Sequence, residues 1–496
     1  MKLYDICRGA DVECPEHIAD IEISGISCDS RRIKSSYLFI CLTGDKNDGH
    51  HHIDEALING ASAVVIENEV YFSDKAVLVE STRTAYAKMM NSFCENPAQK
   101  LKFIGITGTN GKTSVSVMLK HILNNANIPC EVIGTLNSSS LSESAYNLKA
   151  NFTTPDPEEL YPMLQRILAS GIEYVVMEVS SHALKYDKLA PINFEIGVFT
   201  NLTEDHLDFH GTMEDYFKSK KRLFDKCSLG IINVDDEYGK QIAELAPCKI
   251  KTCSAKQSAD YSCEVIENLG ENGTRYRMEA DEDDLLINCS IPGCFSVLNS
   301  MQASACALEL NIDKPIICES FDSFQGVDGR FERLEAPRGW DVAVFIDYAH
   351  TPDALQNLLD TANSLKREGQ RVVLLFGCGG DREHQKRSIM GKIAVENADF
   401  VIITSDNPRS ECRNDIINDI LQSITCENNF AVIPDRKTAI EFAISCSRTG
   451  DIILLAGKGH ERYEIDSEGR KPFDERKIVC EAFEKYERKN QGGNEL

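Results

Sequence analysis

The stretch Phe103-Ile104-Gly105-Ile106-Thr107-Gly108-Thr109-Asn110-Gly111-Lys112-Thr113 decides the fold class of this chain. An apolar run predicts a strand over residues 104–107, a glycine loop follows it, and apolar residues at helical spacing come next. The predicted helix face is formed by Val115, Met118, Leu119 and Ile122. Strand, glycine loop and helix together predict a phosphate-binding loop, because the N–H groups at a helix N-terminus and a nearby lysine attract phosphates.

The glycine loop is a shortened variant of the Walker A motif, since Ile106 stands where the standard motif has glycine. A Gly-Lys-Thr sequence also occurs by chance in loops, and only the flanking strand and helix patterns favour the phosphate-binding role. We expect Lys112 to supply positive charge and the Thr113 hydroxyl to ligate Mg²⁺. The residues expected to contact ATP are Gly108, Thr109, Asn110, Gly111, Lys112, Thr113 and Ser114.

Outward from this loop, short apolar runs alternate with helical patterns. The runs lie at 174–177, 196–199, 372–376, 400–403 and 452–455. Such alternation predicts an α/β protein with parallel, doubly wound sheets. A polar stretch around Pro97 and a Gly-Val-Asp-Gly-Arg segment at 326–330 indicate linkers. We therefore expect three domains, at 1–98, 99–329 and 330–496, with the phosphate-binding loop in the central one.

Composition excludes several classes of function. The chain has 496 residues, with 53 Lys and Arg against 78 Asp and Glu, so its formal net charge of −25 disfavours nucleic acid as a partner. No stretch is long and apolar enough for membrane insertion, and residues 1–13 lack the apolar core of a secretory signal. The 19 cysteines are scattered without a C-x-x-C pair, which favours reduced thiols and a cytoplasmic location.

Glu178 follows the apolar run at 174–177, so its carboxylate would lie at the carboxyl end of a strand, where ligands of α/β sheets bind. This position makes it a natural partner of Thr113 in holding Mg²⁺. Taken alone, an acidic residue after a strand is more often a helix cap or a surface charge. Only the phosphate-binding loop upstream favours the metal role.

Four motifs in this order resemble those of the Mur ligases. They are the loop 108–113, Glu178-Val179-Ser180-Ser181-His182, Asn201-Leu202-Thr203-Glu204-Asp205-His206-Leu207-Asp208 and Asp347-Tyr348-Ala349-His350-Thr351-Pro352. The resemblance covers nearly the whole chain. It implies that ATP phosphorylates the D-glutamyl carboxylate of UDP-MurNAc-L-Ala-D-Glu, bound by the first domain. An amine held by the last domain would then attack the acyl phosphate. A monomer is expected.

The resemblance also assigns roles to residues that spacing alone leaves open. Lys220, in Tyr216-Phe217-Lys218-Ser219-Lys220, stands where the family carries a carbamylated lysine, although without the resemblance it would be part of an ordinary basic helix face. His206 becomes a ligand of a second Mg²⁺. The implied catalytic residues are Lys112, Glu178, His206 and Lys220, and the implied metal ligands are Thr113, Glu178, His206 and Lys220. Further implied nucleotide contacts are Asn299, Arg330, Asp347 and His350.

For the UDP-linked substrate, the resemblance implies contacts from Ser30, the loop 44–49, Thr153, Thr154, Ser180 and Lys188. The family commonly has glutamine and arginine where this chain has Tyr186 and Lys188. Lysine keeps the positive charge at position 188 but lacks the two-pronged guanidinium. This chain also departs from the family's Pro-Gly-x-Phe-Asn pattern, since Ser296 stands in place of the first asparagine.

Three predicted strand ends in the last domain should hold the amine. The implied residues are Arg382, Asp406, Asn407, Pro408, Arg409, Gly457 and Glu461. Asp-Asn-Pro-Arg is typical of members that add meso-diaminopimelate, whose second zwitterion calls for an arginine at its carboxylate and an acid at its ammonium. The alternative for Arg409 is a turn cap or an ion pair with Glu411. Rival functions are an L-lysine-adding ligase, a folylpolyglutamate-synthetase-like ligase and a catalytically silent homologue.

Overall fold

The computed structural model describes residues 1–44, 47–136, 153–280, 284–425 and 429–492. Asp45 and Lys46 of the predicted substrate loop 44–49 lie outside the described residues. The described chain forms three large sheets, each with helices packed against it. The predicted α/β class and three-part architecture are confirmed.

The first sheet is wholly parallel, with strand order β1-β2-β3-β4. Its strands are β1 (Gly25–Ser27), β2 (Tyr37–Ile40), β3 (Ala61–Ile66) and β4 (Ala76–Leu78). The accompanying helices are α1 (Leu3–Gly9), α2 (Ile53–Ile58) and α3 (Thr82–Phe93). Buried Ile, Val, Leu and Ala side chains from these strands and from α3 form one core.

The central sheet has nine strands in the order β13-β12-β11-β10-β9-β8-β5-β7-β6. The strands are β5 (Lys102–Thr107), β6 (Cys130–Ile133), β7 (Tyr174–Glu178), β8 (Phe194–Phe199), β9 (Cys227–Asn233), β10 (Lys249–Ser254), β11 (Tyr261–Asn268), β12 (Thr274–Glu279) and β13 (Leu285–Cys289). The helices are α4 (Lys112–Asn125), α5 (Pro157–Ala169), α6 (Ser181–Lys185), α7 (Leu207–His210), α8 (Met213–Lys221), α9 (Glu237–Leu245), α10 (Cys294–Glu309) and α11 (Lys314–Asp322). The predicted face of α4 is confirmed, since Val115, Met118, Leu119 and Ile122 are all buried.

The central sheet is parallel, as predicted, except at one end, where the sequence analysis did not foresee antiparallel strands. Strands β11, β12 and β13 pair antiparallel, while the remaining neighbours pair parallel. β12 alternates buried and partly exposed side chains because one face of this antiparallel extension is solvated. That period-2 pattern in Thr274-Arg275-Tyr276-Arg277-Met278-Glu279 was the available signal.

The last sheet has the order β14-β15-β19-β16-β17-β18 and is parallel except for the edge strand β14. Its strands are β14 (Glu332–Leu334), β15 (Ala343–Asp347), β16 (Val372–Phe376), β17 (Phe400–Ile403), β18 (Phe430–Val432) and β19 (Ile452–Ala456), followed by the hairpin β20 (Tyr463–Asp466) and β21 (Gly469–Pro472). The helices are α12 (Pro352–Leu365), α13 (Gln385–Asn397), α14 (Arg413–Leu421), α15 (Arg436–Ser445) and α16 (Glu475–Gly492).

Each of these three sheets lies within one of the proposed domains 1–98, 99–329 and 330–496. The central and last parts touch through side chains. The Asn110 carboxamide donates to Asp353 Oδ2 at 2.9 Å, and Lys386 Nζ lies 3.8 Å from Asp205 Oδ1. None of the helices in the described ranges has both the length and the apolar character needed to cross a membrane.

Candidate active site

A cavity of about 480 Å³ lies where strand ends of the central and last sheets face each other. Its walls come from loops that follow β5, β7 and β8 on one side and β15, β16, β17 and β19 on the other. Both groups of loops leave the carboxyl ends of parallel strands, where α/β sheets bind ligands. The structure therefore brings two loop sets together that are far apart in sequence.

Most of the predicted site residues line this one cavity. They are Thr109, Asn110, Gly111, Lys112, Thr113, Ser114, Thr153, Glu178, Ser180, Lys188, His206, Lys220, Asn299, Arg330, Asp347, His350, Arg382, Asp406, Asn407, Arg409, Gly457 and Glu461. Ser30, Gly108, Thr154 and Pro408 are outside the cavity lining. Ser30 lies in the first domain, where its buried hydroxyl donates to Glu55 Oε2 at 2.6 Å.

The glycine loop wraps tightly because two of its residues have positive φ. Gly108 has φ of 149° and Gly111 has φ of 86°. A Cβ at Gly111 would come within 2.5 Å of Asn299 Oδ1, so a larger residue there would displace the buried Asn299 side chain from the loop. Lys112 Nζ donates to the carbonyls of Gly108 and Thr109, each at 2.8 Å. The loop thus holds its lysine next to the helix N-terminus.

Lys220 reaches the same loop from α8. It is only 2% exposed, and its Nζ donates to the Gly108 carbonyl at 2.8 Å. Burial, reinforced by the charge of Lys112, lowers the pKa of Lys220 well below its usual range. A lowered pKa favours the neutral amine, which is the reactive, nucleophilic form of lysine. The basic-face interpretation of Lys220 was therefore wrong for this residue, because it points into the protein.

Thr113 and Glu178 meet at the start of α4. The Thr113 hydroxyl donates to Glu178 Oε2 at 3.1 Å, and Thr135 donates to both carboxylate oxygens, each at 3.0 Å. Arg330 Nη2 donates to Thr113 Oγ1 at 3.2 Å. A hydroxyl and a carboxylate are the hard oxygen ligands that Mg²⁺ takes, with water and phosphate oxygens completing its shell. In the part of the chain that the structure describes, no three His, Cys, Asp or Glu side chains cluster as a metal site.

His206 lies on the cavity wall with φ of 56°, and its Nε2 is 3.4 Å from Asp205 Oδ2. Burial lowers the pKa of His206, which favours the neutral ring, the form that ligates metals. Burial alone would raise the pKa of Asp205, but the charges of His206 and Lys386 outweigh it and lower that pKa to about 2. Burial, with Lys386 adding to it, lowers the pKa of His350 to about 4.

The predicted substrate residues near β7 divide into two groups. Thr154 is buried, donates to the Glu178 carbonyl at 2.8 Å and accepts from the Ser180 N–H at 2.9 Å, so it shapes the turn after β7. Lys188 faces the cavity and pairs with Asp156 Oδ1 at 2.6 Å. Tyr186 instead stacks under Arg83 of the first domain, 3.9 Å from ring centroid to guanidinium carbon.

Asp347 binds backbone groups. Its carboxylate accepts the N–H groups of Phe331 and Ala349, each at 2.7 Å, while Arg330 lies beside the neighbouring Tyr348 ring, 4.6 Å from its centroid. Burial raises the pKa of Asp347, although these N–H donors and the Arg330 charge oppose it. Asp347 therefore fixes the segment that carries Arg330 against β15.

The loop after β19 forms the acidic side of the last domain's part of the cavity. Asn407 Nδ2 donates to Glu461 Oε2 at 2.8 Å, and Lys458 Nζ donates to Asn407 Oδ1 at 3.0 Å. Burial and the nearby Asp406 carboxylate raise the pKa of Glu461. The Gly457 position is tight, because a Cβ there would come within 2.6 Å of Asp406 Oδ2. These contacts hold two carboxylates at the cavity edge.

Arg409 supplies positive charge opposite these acids. It adopts φ of 53°, and its Nη1 donates to the Gly380 carbonyl at 2.8 Å. Burial, together with the charge of Arg382, lowers the pKa of Arg409. The alternative pairing of Arg409 with Glu411 was wrong, because Glu411 binds Arg387 through both carboxylate oxygens.

Sequence reasoning missed residues that work between loops. Lys386, Asp353, Arg387 and Lys458 were not singled out, although Lys386 and Lys458 stand inside or beside quoted motifs. The Arg387–Glu411, Lys458–Asn407 and Asp353–Asn110 pairs are separated by 24, 51 and 243 residues in sequence. Local spacing carries no signal for such pairs.

Three family models match this chain. They are "Mur ligase family, catalytic domain" at residues 22–94, "Mur ligase middle domain" at 106–307 and "Mur ligase, glutamate ligase domain" at 329–459. The UDP-N-acetylmuramoyl-L-alanyl-D-glutamate–2,6-diaminopimelate ligase of Caldanaerobacter subterraneus subsp. tengcongensis is 41% identical over 492 residues, covering 98% of this chain and 100% of the relative. The chain belongs to the Mur ligase family. The resemblance inferred from the four motifs is confirmed, and the chain is an ATP-dependent ligase that joins an acid to an amino acid.

Solved structures extend the comparison. A structure of UDP-N-acetylmuramoyl-L-alanyl-D-glutamate–2,6-diaminopimelate ligase superposes with a TM-score of 0.67 at 29% identity, covering 98% of this Mur ligase and 100% of that chain. The folylpolyglutamate synthase of Mycobacterium tuberculosis superposes with a TM-score of 0.61 at 16% identity, covering 75% of this chain and 92% of that one. The second likeness shows the fold alone.

Proposed function

We propose that this Mur ligase adds meso-diaminopimelate to UDP-MurNAc-L-Ala-D-Glu in peptidoglycan synthesis. The observation that carries the proposal is the single cavity in which the glycine loop faces Arg409 and Glu461. Relatives of nearly the same length carry the corresponding name, 2,6-diaminopimelate ligase. ATP, the D-glutamyl carboxylate and the incoming amine must meet in one place, and this cavity is open to both domains.

The residues of the glycine loop act on ATP. The loop N–H groups and Lys112 bind and orient the phosphates, and Arg330 approaches from the interdomain segment. Thr113 and Glu178 would hold one Mg²⁺, and His206 with a carbamate on Lys220 would hold a second; ions bound there would neutralise phosphate charge. The depressed pKa of Lys220 supports the carbamate, because carbon dioxide reacts with a neutral amine.

The reaction is proposed in two chemical steps. The D-glutamyl carboxylate oxygen attacks the γ-phosphorus of ATP, and ADP leaves. The amine of the acceptor then attacks the acyl carbon and loses a proton, an amide bond forms, and phosphate leaves with the C–O bond electrons. Thr153, Ser180 and Lys188 would hold the muramoyl peptide at the central side of the cavity, and Asn299 and His350 would contact the nucleotide.

The last domain selects the acceptor. Arg409 and Arg382 would bind the distal carboxylate of diaminopimelate, and Glu461 with Asp406 would bind its distal ammonium. L-lysine has the ammonium without the carboxylate, so it would leave the two arginines without a ligand. Asn407, Pro408 and Gly457 would shape the pocket around this end. Among the described residues, Ser30, Gly44 and residues 47–49 remain the proposed contacts for the UDP-linked end.

The proposal is tested by phosphate release from ATP with UDP-MurNAc-L-Ala-D-Glu and either meso-diaminopimelate, L-lysine or no amine. Release that depends on diaminopimelate is expected. Dependence on lysine would reject the acceptor, and release with a folate substrate alone would support the folylpolyglutamate-type alternative. Absence of release under all conditions would support a silent homologue. Cytoplasmic location and a monomeric state stay predictions from the sequence.

A further inference from the structure

Arg387 lies on α13, directly behind the proposed acceptor loops. Its side chain is wholly buried, and Nη1 and Nη2 donate to the two carboxylate oxygens of Glu411, each at 2.8 Å. Nη1 also donates to Asp419 at 2.9 Å, and Nη2 donates to the Gly379 carbonyl at 3.2 Å. A two-pronged pair of this kind is the strongest ionic geometry available to a carboxylate, so Glu411 is firmly held.

Glu411 and Arg409 contact the same peptide unit, the one between Gly380 and Asp381. Arg409 Nη1 donates to its carbonyl at 2.8 Å, and its N–H donates to Glu411 Oε1. The carboxylate and the guanidinium are thus separated by the width of one peptide group. Arg409 and Glu411 are also two residues apart in sequence, on the loop between β17 and α14.

Because Arg409 and Glu411 lie this close together, the other partners of their side chains determine whether they can pair. In the described ranges, neither Arg409 nor Arg382 forms an ion pair with a carboxylate, and the Arg409 side chain donates only to backbone carbonyls of Gly380 and Asn407. The carboxylate of Glu411 is an internal competitor for the anion-binding role of Arg409. Arg387 neutralises that competitor from the opposite side.

We propose that Arg387 is a positioning residue for acceptor binding, which sequesters Glu411 and so keeps Arg409 available to the distal carboxylate of the acceptor. The inference rests on the proposed function, in which Arg409 binds that carboxylate. It assigns to the Arg387–Glu411 pair a role in substrate affinity beyond holding two loops together. Loss of Arg387 lets Glu411 occupy Arg409.

The test compares Arg387→Met with the double variant Arg387→Met/Glu411→Gln in the full-length enzyme. Arg387→Met should raise the KM for meso-diaminopimelate about tenfold or more, with the KM for ATP within about twofold of wild type. The double variant removes the competing carboxylate and should recover most of the acceptor affinity. If both variants lose acceptor affinity equally, Arg387 serves packing alone, and an unchanged KM in Arg387→Met also rejects the proposal.

Two further variants of the enzyme serve as controls for this test. Arg371→Met breaks another ion pair of the last domain, to Asp451 at 2.5 Å, away from the cavity lining, and should lower stability without changing the acceptor KM. If Arg387→Met fails to fold, Arg387→Lys retains the charge without the two-pronged geometry. Its acceptor KM should rise and should recover on addition of Glu411→Gln, and no rise overturns the inference. Failure of the proposed function can be distinguished from failure of this inference, because the wild-type enzyme would then show no phosphate release that depends on diaminopimelate.

Discussion

Two lysines in this enzyme are equally buried and have opposite surroundings. Lys220 in the central domain is 2% exposed, donates to the Gly108 carbonyl and has no carboxylate within ion-pair distance among the described residues. Lys458 in the last domain is 0% exposed, and its Nζ lies 3.6 Å from Asp406 and 4.0 Å from Glu461. Burial alone therefore does not define a lysine's role, because the neighbouring charges decide whether the cation is stabilised.

The difference in charge environment between the two lysines fits the proposed roles of the two halves of the cavity. A lysine whose pKa is depressed offers a neutral amine for covalent modification, as the proposed carbamate requires. A lysine between two carboxylates holds their orientation and balances their charge. The same substitution, lysine to methionine, should consequently have contrasting effects at the two positions.

The largest expected effect is on turnover in Lys220→Met. Loss of the proposed carbamate should reduce turnover by about a thousandfold or more, and Lys220→Ala should behave likewise, with high bicarbonate rescuing neither. The unfolding free energy should be unchanged or higher, because no buried anion loses its partner. Phosphate-release assays and urea unfolding followed by circular dichroism measure the two quantities. Normal turnover would reject the carbamate role.

Lys458→Met should show the reverse pattern, with stability affected most. The change leaves Asp406 and Glu461 without their shared cation and removes the donor to Asn407 Oδ1, so the unfolding free energy should fall by about 3 kcal/mol. Urea unfolding followed by the fluorescence of Trp340, which lies in the last domain, measures the loss. Stability equal to that of Lys220→Met would contradict the contrast between the two lysines.

Arg409→Ala tests the acceptor side at the ligand itself. The KM for meso-diaminopimelate should rise by about a hundredfold because the distal carboxylate loses its guanidinium partner. The KM for ATP should stay within about twofold of wild type, since Arg409 belongs to the last domain's loops. Steady-state kinetics with each substrate varied in turn gives both values. An equal rise for both substrates would indicate a folding defect instead.

The smallest expected effect concerns His210, which packs beside the Lys220 helix. Burial, with the charge of His182 adding to it, lowers the pKa of His210 to about 3. Between that value and 6.5 the unfolded chain binds a proton that the folded protein does not, so stability falls as pH falls through this window. The loss from this group between pH 7 and pH 5 should be about 2 kcal/mol, and His210→Gln should remove that part of the pH dependence in urea unfolding.

The phosphate-binding half of the site was largely predictable from the sequence. The strand, the glycine loop and α4 lie within residues 102–125. Their hydrophobic periodicity and glycine content follow from the local backbone geometry of a strand, a turn and a helix. The buried strands of the last sheet were predictable for the same reason, since continuous apolar runs such as 372–376 are typical of strands covered on both faces. The family motifs added catalytic and binding roles that hydrophobic periodicity does not indicate.

Other features depended on contacts between distant segments. Whether Lys220 is solvated or buried depends on where α8 packs against the glycine loop, and whether Glu411 binds Arg409 or Arg387 depends on where α13 begins. The sequence by itself determined the α/β class, the glycine loop, the Mur family motifs and the set of charged residues available. Only the tertiary structure decided which charges face each other, because electrostatic interaction depends on distance and burial in space and not on separation along the chain.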